Sequence, residues 1–483
     1  MEQSLDPADW EELRRLGHEM VDDMMDYLRQ AGQQPAWRKV PDEVKAAMKQ
    51  PLPHQGQPIR EVYQEFLTQV LPFNINNVHP RFWAWVQGGG TPAGMLFDML
   101  ASGMNANLAI GDQAPVYVER QVLNWSKEIF GFPAEASGIL TSGGSMANIT
   151  ALIVARNHFS PAIKARGLRE EAGMLRIYGS VETHNCMVKG VEAIGIGGDN
   201  FRKVPVDERF QVRIDLLEGM IAEDKKKGYQ PYCIVGNAGT VNTGAVDDLE
   251  RLASIAKRES CWFHVDGAFG AIPYILPEWK ATLKGLEKAD SLSFDFHKWL
   301  YVNYEVGCVL IRNENAHRDA FSAPASYLLK HDRGLAGGPT PFSAYGLELS
   351  RGFKALKVWM SLKEQGLDKY RMLVQQNLDQ AQFLGSLVQA REELQLLAPV
   401  PMNIVCYRYN PGGMEDAELN ELNKEILIRL HEEGVASPSY TLLDGRYAIR
   451  VAITNHRSRR EDFEVLVAET IRLGREIRGR GPK

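Results

Sequence analysis

An α/β fold, built on a mostly parallel sheet covered by helices, is the class this sequence predicts. Two features predict it. Between residues 86 and 312, short β-rich runs alternate with helical ones. Four of those runs end in polar residues of unusual type, and open α/β sheets bind ligands just beyond the carboxyl ends of their strands. The strand candidates are 138–140, 176–178, 232–235, 262–265, 291–294 and 307–311. Helix candidates between them include 145–159 and 248–258.

At 483 residues the chain is long enough for two or three structural units. Residues 1–85 read as a helical N-terminal arm. Asp6-Pro7 supplies a helix cap with proline at the first helical position. Trp10, Leu13, Leu16, Met20, Met24 and Leu28 then recur at helical spacing. A proline-rich stretch follows, and a second amphipathic helix carries Val62, Phe66 and Val70. Such an arm cannot close a core of its own, so it is expected to pack on a partner subunit. Residues 86–392 form the large domain, which ends in a helical region from about 344 to 392. Residues 393–483 form a small α+β domain with strands at 403–407 and 447–451 and helices at 416–433 and from 460.

Composition narrows the function. Hydrophobic residues make up 44% and charged residues 24%, as in a globular protein with a large core. The net charge of -6, without a basic stripe, argues against nucleic acid as a partner. Five widely spaced cysteines with no Cys-x-x-Cys pair argue for a reducing compartment, against a disulfide framework and against a zinc site. No signal peptide is visible, and no apolar run is long enough to span a bilayer. The expected location is cytoplasmic, with no membrane partner.

The four strand ends carry the chemistry. After 138–140 comes Thr141-Ser142-Gly143-Gly144-Ser145 and then a helix, which reads either as a phosphate cradle or as a plain structural turn. Strand 262–265 ends at Asp266, followed by Gly267-Ala268. A carboxylate among apolar residues is either satisfied by backbone donors or serves as counter-ion to a protonated heterocycle, with small Ala268 leaving room for a flat ring. His184, after 176–178, is either an ordinary satisfied histidine or a ring that stacks on that heterocycle. Strand 291–294 runs into Asp295-Phe296-His297-Lys298-Trp299. Lys298 either caps a strand or is a desolvated amine whose lowered pKa frees it as a nucleophile. Neither His184 nor His297 has metal-ligand spacing. Taken together, the four ends fit pyridoxal 5'-phosphate held as a Schiff base.

These residues resemble the group II pyridoxal-phosphate-dependent amino acid decarboxylases, the class that includes aromatic L-amino-acid decarboxylase and glutamate decarboxylase. The resemblance covers nearly the whole chain. It rests on His79-Pro80-Arg81-Phe82-Trp83, Gly143-Gly144-Ser145, His264-Val265-Asp266-Gly267-Ala268, Asp295-Phe296-His297-Lys298-Trp299, Ile449-Arg450-Val451 and Asn455-His456-Arg457. It implies a pyridoxal-phosphate fold type I (aspartate aminotransferase-like) and a homodimer with the active site near the interface. Lys298 would carry the cofactor, Asp266 would hold the pyridine nitrogen protonated, and His184 would stack on the ring. Gly144, Ser145, Asp295 and His297 would lie near the phosphate, with Thr240 and Ala268 also against the cofactor. Tyr327 matches a mobile-loop tyrosine that returns a proton to the substrate carbon. Trp83, Trp85 and Gly88 are the candidates for substrate contact.

The sequence departs from the family pattern at three places. Phe296 replaces a common proline, which predicts a less rigid approach to His297. Val241 takes a position often held by threonine, and Trp85-Val86-Gln87-Gly88-Gly89-Gly90 differs from the pocket-shaping segment of aromatic-specific enzymes. The implied reaction is decarboxylation of an L-amino acid to the amine and carbon dioxide. An aromatic substrate is the first choice and an acidic one, glutamate or aspartate, the second. Rival readings are an aminotransferase using Arg450 as carboxylate anchor, a decarboxylation-dependent aldehyde synthase, and a catalytically silent scaffold.

Overall fold

The computed structural model describes residues 3–168, 174–322 and 331–479. Its strands, in chain order, are β1 (Phe82–Trp83), β2 (Ser137–Thr141), β3 (Leu175–Ser180), β4 (Phe201–Val204), β5 (Gln230–Asn237) and β6 (Trp262–Asp266). Then come β7 (Ser291–Asp295), β8 (Gly307–Ile311), β9 (Leu394–Leu396), β10 (Ile404–Tyr409), β11 (Ser437–Leu443) and β12 (Arg446–Ala452). Among the described residues, the large sheet has the order β2-β8-β7-β6-β5-β3-β4. Its pairings from β4 through β3, β5 and β6 to β7 are parallel, while β8 runs antiparallel to both β7 and β2. The alternation in the sequence predicted this sheet. It did not reveal β4, whose centre, Arg202-Lys203, is polar and half-open.

Central strands covered on both faces read as unbroken apolar runs, and β6, β7 and β8 are buried at every position. The reversal from β7 to β8 fixes the site. A parallel return needs a crossover of a dozen residues or more, and the link 296–306 is too short for one. The chain therefore turns back at the carboxyl end of β7, and this turn carries His297 and Lys298.

The small sheet has the order β1-β11-β12-β10-β9, and β1 joins it by parallel pairing to β11. Residues 82–83, from the segment expected to form a separate arm, are thus an edge of the C-terminal unit. The helix Ala355–Gln389 serves both cores: Ala355, Val358 and Val374 lie in the larger, and Ala381, Leu384 and Val388 in the smaller.

Two expectations about helices are corrected. The long helical region does not begin near 344, because residues around 351 are engaged elsewhere. The Arg351 carbonyl accepts the Leu108 N–H, and its guanidinium meets Glu119 at 2.6 Å in the core. Within the helix, Gly366 adopts φ 70 and ψ 157 and breaks the run. At the N-terminus, Asp9 rather than Asp6 caps the helix Trp10–Arg29, accepting from the N–H groups of Glu11 and Glu12.

Burial pushes the imidazoles of buried His79, His264 and His317 and of half-buried His456 from 6.5 down to about 4. The unfolded chain then takes up protons before the folded one, so stability is full above pH 6.5 and falls as the pH drops toward about 4. Urea unfolding across that window is expected to show a steady loss of stability with acidification; a flat profile contradicts this account.

Candidate active site

Asp295, the last residue of β7, is 1% exposed, and the Lys298 ammonium reaches back to its Oδ2 at 2.8 Å. Burial would push the Lys298 ammonium down, but Asp295, helped by Asp266, outweighs burial and holds it above the ordinary lysine range. The lowered pKa expected from the apolar flanks is therefore corrected: those flanks also bury a carboxylate beside the amine. His297 Nε2 lies 3.8 Å from the same oxygen, and the Tyr304 ring tilts over the imidazole at 4.3 Å. Phe296 does not loosen this turn. It is buried against Phe294, and its N–H donates to Val306 at 3.1 Å, a bond proline has no hydrogen to make.

Asp266 ends the neighbouring strand β6, buried, with its Oδ1 accepting the Ala268 N–H at 3.1 Å and its Oδ2 accepting from Asn148 at 3.0 Å. The helix Gly144–Phe159 opens onto the same space without a side-chain cap, so its first N–H groups are free for an anion. Glycine is needed there. A Cβ on Gly144 would sit 2.9 Å from Asp295 Oδ2, and one on Gly143 would sit 3.3 Å from His297 Cε1.

A cavity of about 420 Å³ joins these groups. Lys298, Asp266, Ala268 and His184 line it together with Gly144 and Ser145, and Trp85 stands at its mouth, 58% exposed. Asp295 and His297 stand behind Lys298. His184 Nδ1 accepts the Cys186 N–H at 3.2 Å, and burial, partly offset by Asp266, holds its imidazole below the ordinary range. The set fits pyridoxal phosphate: a free helix end for the phosphate, a buried carboxylate for the ring nitrogen, a small floor residue and an amine for the aldehyde. The buried Asp295 Oδ1, which has no hydrogen-bond partner, lies beside the Gly143-Gly144 turn in the same space.

Three predicted residues lie elsewhere. Trp83 is 1% exposed, stacked on Phe463 at 4.9 Å and bonded through Nε1 to Ser458, so it belongs to the smaller core. Thr240 is buried in its own turn, where Oγ1 faces Thr243 and accepts the Ala245 N–H. Gly88 does not line the cavity but backs it, because a Cβ there would collide with the carbonyls of His297 and Lys298. Tyr327 lies outside the described residues.

The sequence reading missed Asn148, Asn242, Phe269, Tyr304 and Tyr440, all of which line the cavity. For Asn148 a signal existed: an amide one turn inside a helix otherwise buried through Ala147, Ala151 and Leu152. Arg450 also lines the cavity, yet its guanidinium is largely spent on carbonyls, those of Trp85 at 2.7 Å, Asn242 at 3.2 Å and Val241. Burial pushes it down to about 10. The wall it holds is fastened carbonyl by carbonyl. Thr454 donates to Gln87 at 3.0 Å, Asn77 to Gly88 at 3.0 Å and Arg457 to Gly89 at 2.8 Å, while His456 Nε2 meets the Gly90 carbonyl at 2.8 Å.

Residues 41–410 match the model of the pyridoxal-dependent decarboxylase conserved domain. An aromatic-L-amino-acid decarboxylase of Bacillus atrophaeus is 32% identical over 472 residues, covering 97% of this chain and 96% of the relative. A phenylacetaldehyde synthase of Petunia hybrida is 29% identical, covering 93% and 91%. The fold matches that of Oryza sativa TDC, solved with PLP and tryptamine, with a TM-score of 0.91 at 23% identity over 98% of this chain and 100% of that one. With lysine, carboxylate and helix end gathered in one cavity, and a family match over most of its length, this chain belongs to the pyridoxal-dependent decarboxylases and is a pyridoxal-phosphate-dependent amino acid decarboxylase, a carboxy-lyase.

Proposed function

We propose that the enzyme decarboxylates an aromatic L-amino acid to its amine. The observation that carries the substrate choice is the state of the cavity's cations. Among the described residues lining it, Arg450 has its donors directed at backbone carbonyls and Lys298 is paired with Asp295. Neither is left to receive an acidic side chain or to anchor a second carboxylate as an aminotransferase requires. The cavity wall carries aromatic residues instead: Trp85, Phe269, Tyr304 and Tyr440. Similarity to an aromatic-L-amino-acid decarboxylase supports the same choice.

Pyridoxal phosphate, when bound, supplies an electron sink that lets the bond to the substrate carboxylate break. The chain's own residues do the rest. Lys298 Nζ would hold the cofactor aldehyde. Asp266 would accept from the ring nitrogen, and the N–H groups at Gly144 and Ser145 would receive the phosphate. His184, whose Nδ1 accepts the Cys186 N–H and whose proton is then on Nε2, would pack on the ring face. The aromatic wall keeps water from the substrate carboxylate, and a carboxylate poorly solvated loses carbon dioxide more readily. Tyr327 is our proposed donor of the proton to the α-carbon, a role that also separates this enzyme from an oxygen-consuming aldehyde synthase.

Exposed Trp10, Ile59, Val62 and Val70 on the N-terminal segment, with Met99 and Met104, favour a homodimer. Sedimentation at twice the 54.2 kDa chain mass checks this. Among the described residues no helix is long and apolar enough to cross a membrane. The five cysteines are free and buried, and with them we place the enzyme in the cytoplasm.

Two measurements test this reading. Asp295→Asn removes the charge that holds the Lys298 proton and leaves the burial. The pH midpoint for cofactor capture by the stripped enzyme is therefore expected to fall; an unchanged midpoint contradicts the pairing. Across the standard amino acids, kcat/KM for the best aromatic substrate is expected to exceed that for glutamate by roughly a hundredfold. Amine and carbon dioxide should form in equal amounts, with no keto acid required and no hydrogen peroxide released. Preference for glutamate, or peroxide in step with carbon dioxide, contradicts the assignment.

A further inference from the structure

Behind the cofactor-facing carboxylate runs a line of hydrogen bonds whose direction is fixed by chemistry. A carboxylate only accepts, so Asn148 must present its NH2 side to Asp266 Oδ2, 3.0 Å away. The Cys186 sulfur, 3.2 Å from the same nitrogen, takes the other N–H. Asn148 Oδ1 then faces His264 Nε2 at 2.8 Å and the Ser293 hydroxyl, and both must donate to it. With its proton on Nε2, His264 keeps Nδ1 as an acceptor, and the Ser291 hydroxyl lies 2.8 Å from it. Ser291 in turn accepts from Trp262 Nε1 at 2.7 Å. Trp262, Ser291, His264 and Asn148 thus all donate in one direction, toward Asp266.

The line is deeply buried. Asn148 is 1% exposed, and His264, Ser291 and Ser293 are 0% exposed. Burial keeps His264 neutral down to about pH 4, so its tautomer does not change across the working range. A buried polar chain is costly unless every member is satisfied, and here each has its partner. Asp266 receives hydrogen bonds from the Ala268 N–H and from Asn148, and its remaining lone pairs are free for the cavity.

We propose that Asn148 is a positioning residue: its amide, locked by His264 and Ser293, holds Asp266 aimed at the N–H of the cofactor ring. The inference rests on the reading that Asp266 meets that ring nitrogen. Nothing in the sequence motifs marks Asn148 for this role; the register of the helix Gly144–Phe159 over β6 and β7 does.

The test compares two ligands on the cofactor-stripped enzyme: pyridoxal phosphate, and its deaza analogue, in which a C–H replaces the ring nitrogen. Wild type is expected to bind pyridoxal phosphate the more tightly. Asn148→Ala is expected to shrink that preference roughly tenfold, the size of a charge-assisted hydrogen bond, while affinity for the deaza analogue changes little. If Asn148 only fills space, both affinities fall together and the ratio stays, which overturns the proposal. Absence of any preference in wild type overturns the reading of Asp266 itself. A second pair removes dependence on the folding of one variant. His264→Gln keeps an N–H for Asn148 and should retain the ratio, whereas His264→Phe should shrink it; equal ratios in the two overturn the proposal.

Discussion

Two carboxylates are buried at the carboxyl ends of neighbouring parallel strands, and the rest of the site answers that constraint. Asp266 is 5% exposed and Asp295 is 1% exposed. A carboxylate withdrawn from water must be paired or hydrogen-bonded. Asp295 is answered by Lys298, which the short reversal from β7 to β8 brings back within 2.8 Å. Asp266 is answered by the Ala268 N–H and by the amide of Asn148. The pairing of β6 with β7, with Asp266 opposite Ser293, holds the two answers at one end of the sheet. An amine, a buried carboxylate and a helix end without a side-chain cap then share one cavity as a consequence of the topology.

The C-terminal unit shapes the remaining wall. Arg450, Thr454, His456 and Arg457 all follow from β12 onward, and each bonds a carbonyl between Trp85 and Gly90. Carbonyls bound one after another leave the segment little freedom, and Gly88 lets it press on the backbone of Lys298. The position of this wall segment is thus set by the C-terminal unit and by its contact with the turn that carries Lys298. Trp85, with a left-handed φ of 53, turns its ring to the mouth while its carbonyl stays with Arg450.

Much of this was legible in the sequence. The parallel strands were visible because burial on both faces leaves unbroken apolar runs, and Asp266 and Lys298 stood out as charges ending such runs. Local polarity hid β4, and a commitment of backbone groups around Arg351 hid the true start of the long helix. Trp83 and Trp85 look alike in sequence, yet a two-residue strand and a left-handed turn send one to a core and the other to the cavity. Arg450 and Asn148 act through partners far away in the chain, such as Trp85 and Asp266. Spacing within one strand or helix carries no record of such partners. The direction of the Lys298 shift is hidden in the sequence for a related reason, since the flanks that desolvate the amine also bury the carboxylate that compensates it.

The central claim is that Lys298, at the turn after β7, carries the cofactor. Reduction of the holoenzyme with borohydride, followed by peptide mapping, measures this directly. The account predicts a pyridoxyl group fixed to Nζ of Lys298 and to no other lysine. Attachment at a different lysine, or bound cofactor that cannot be fixed at all, would contradict it.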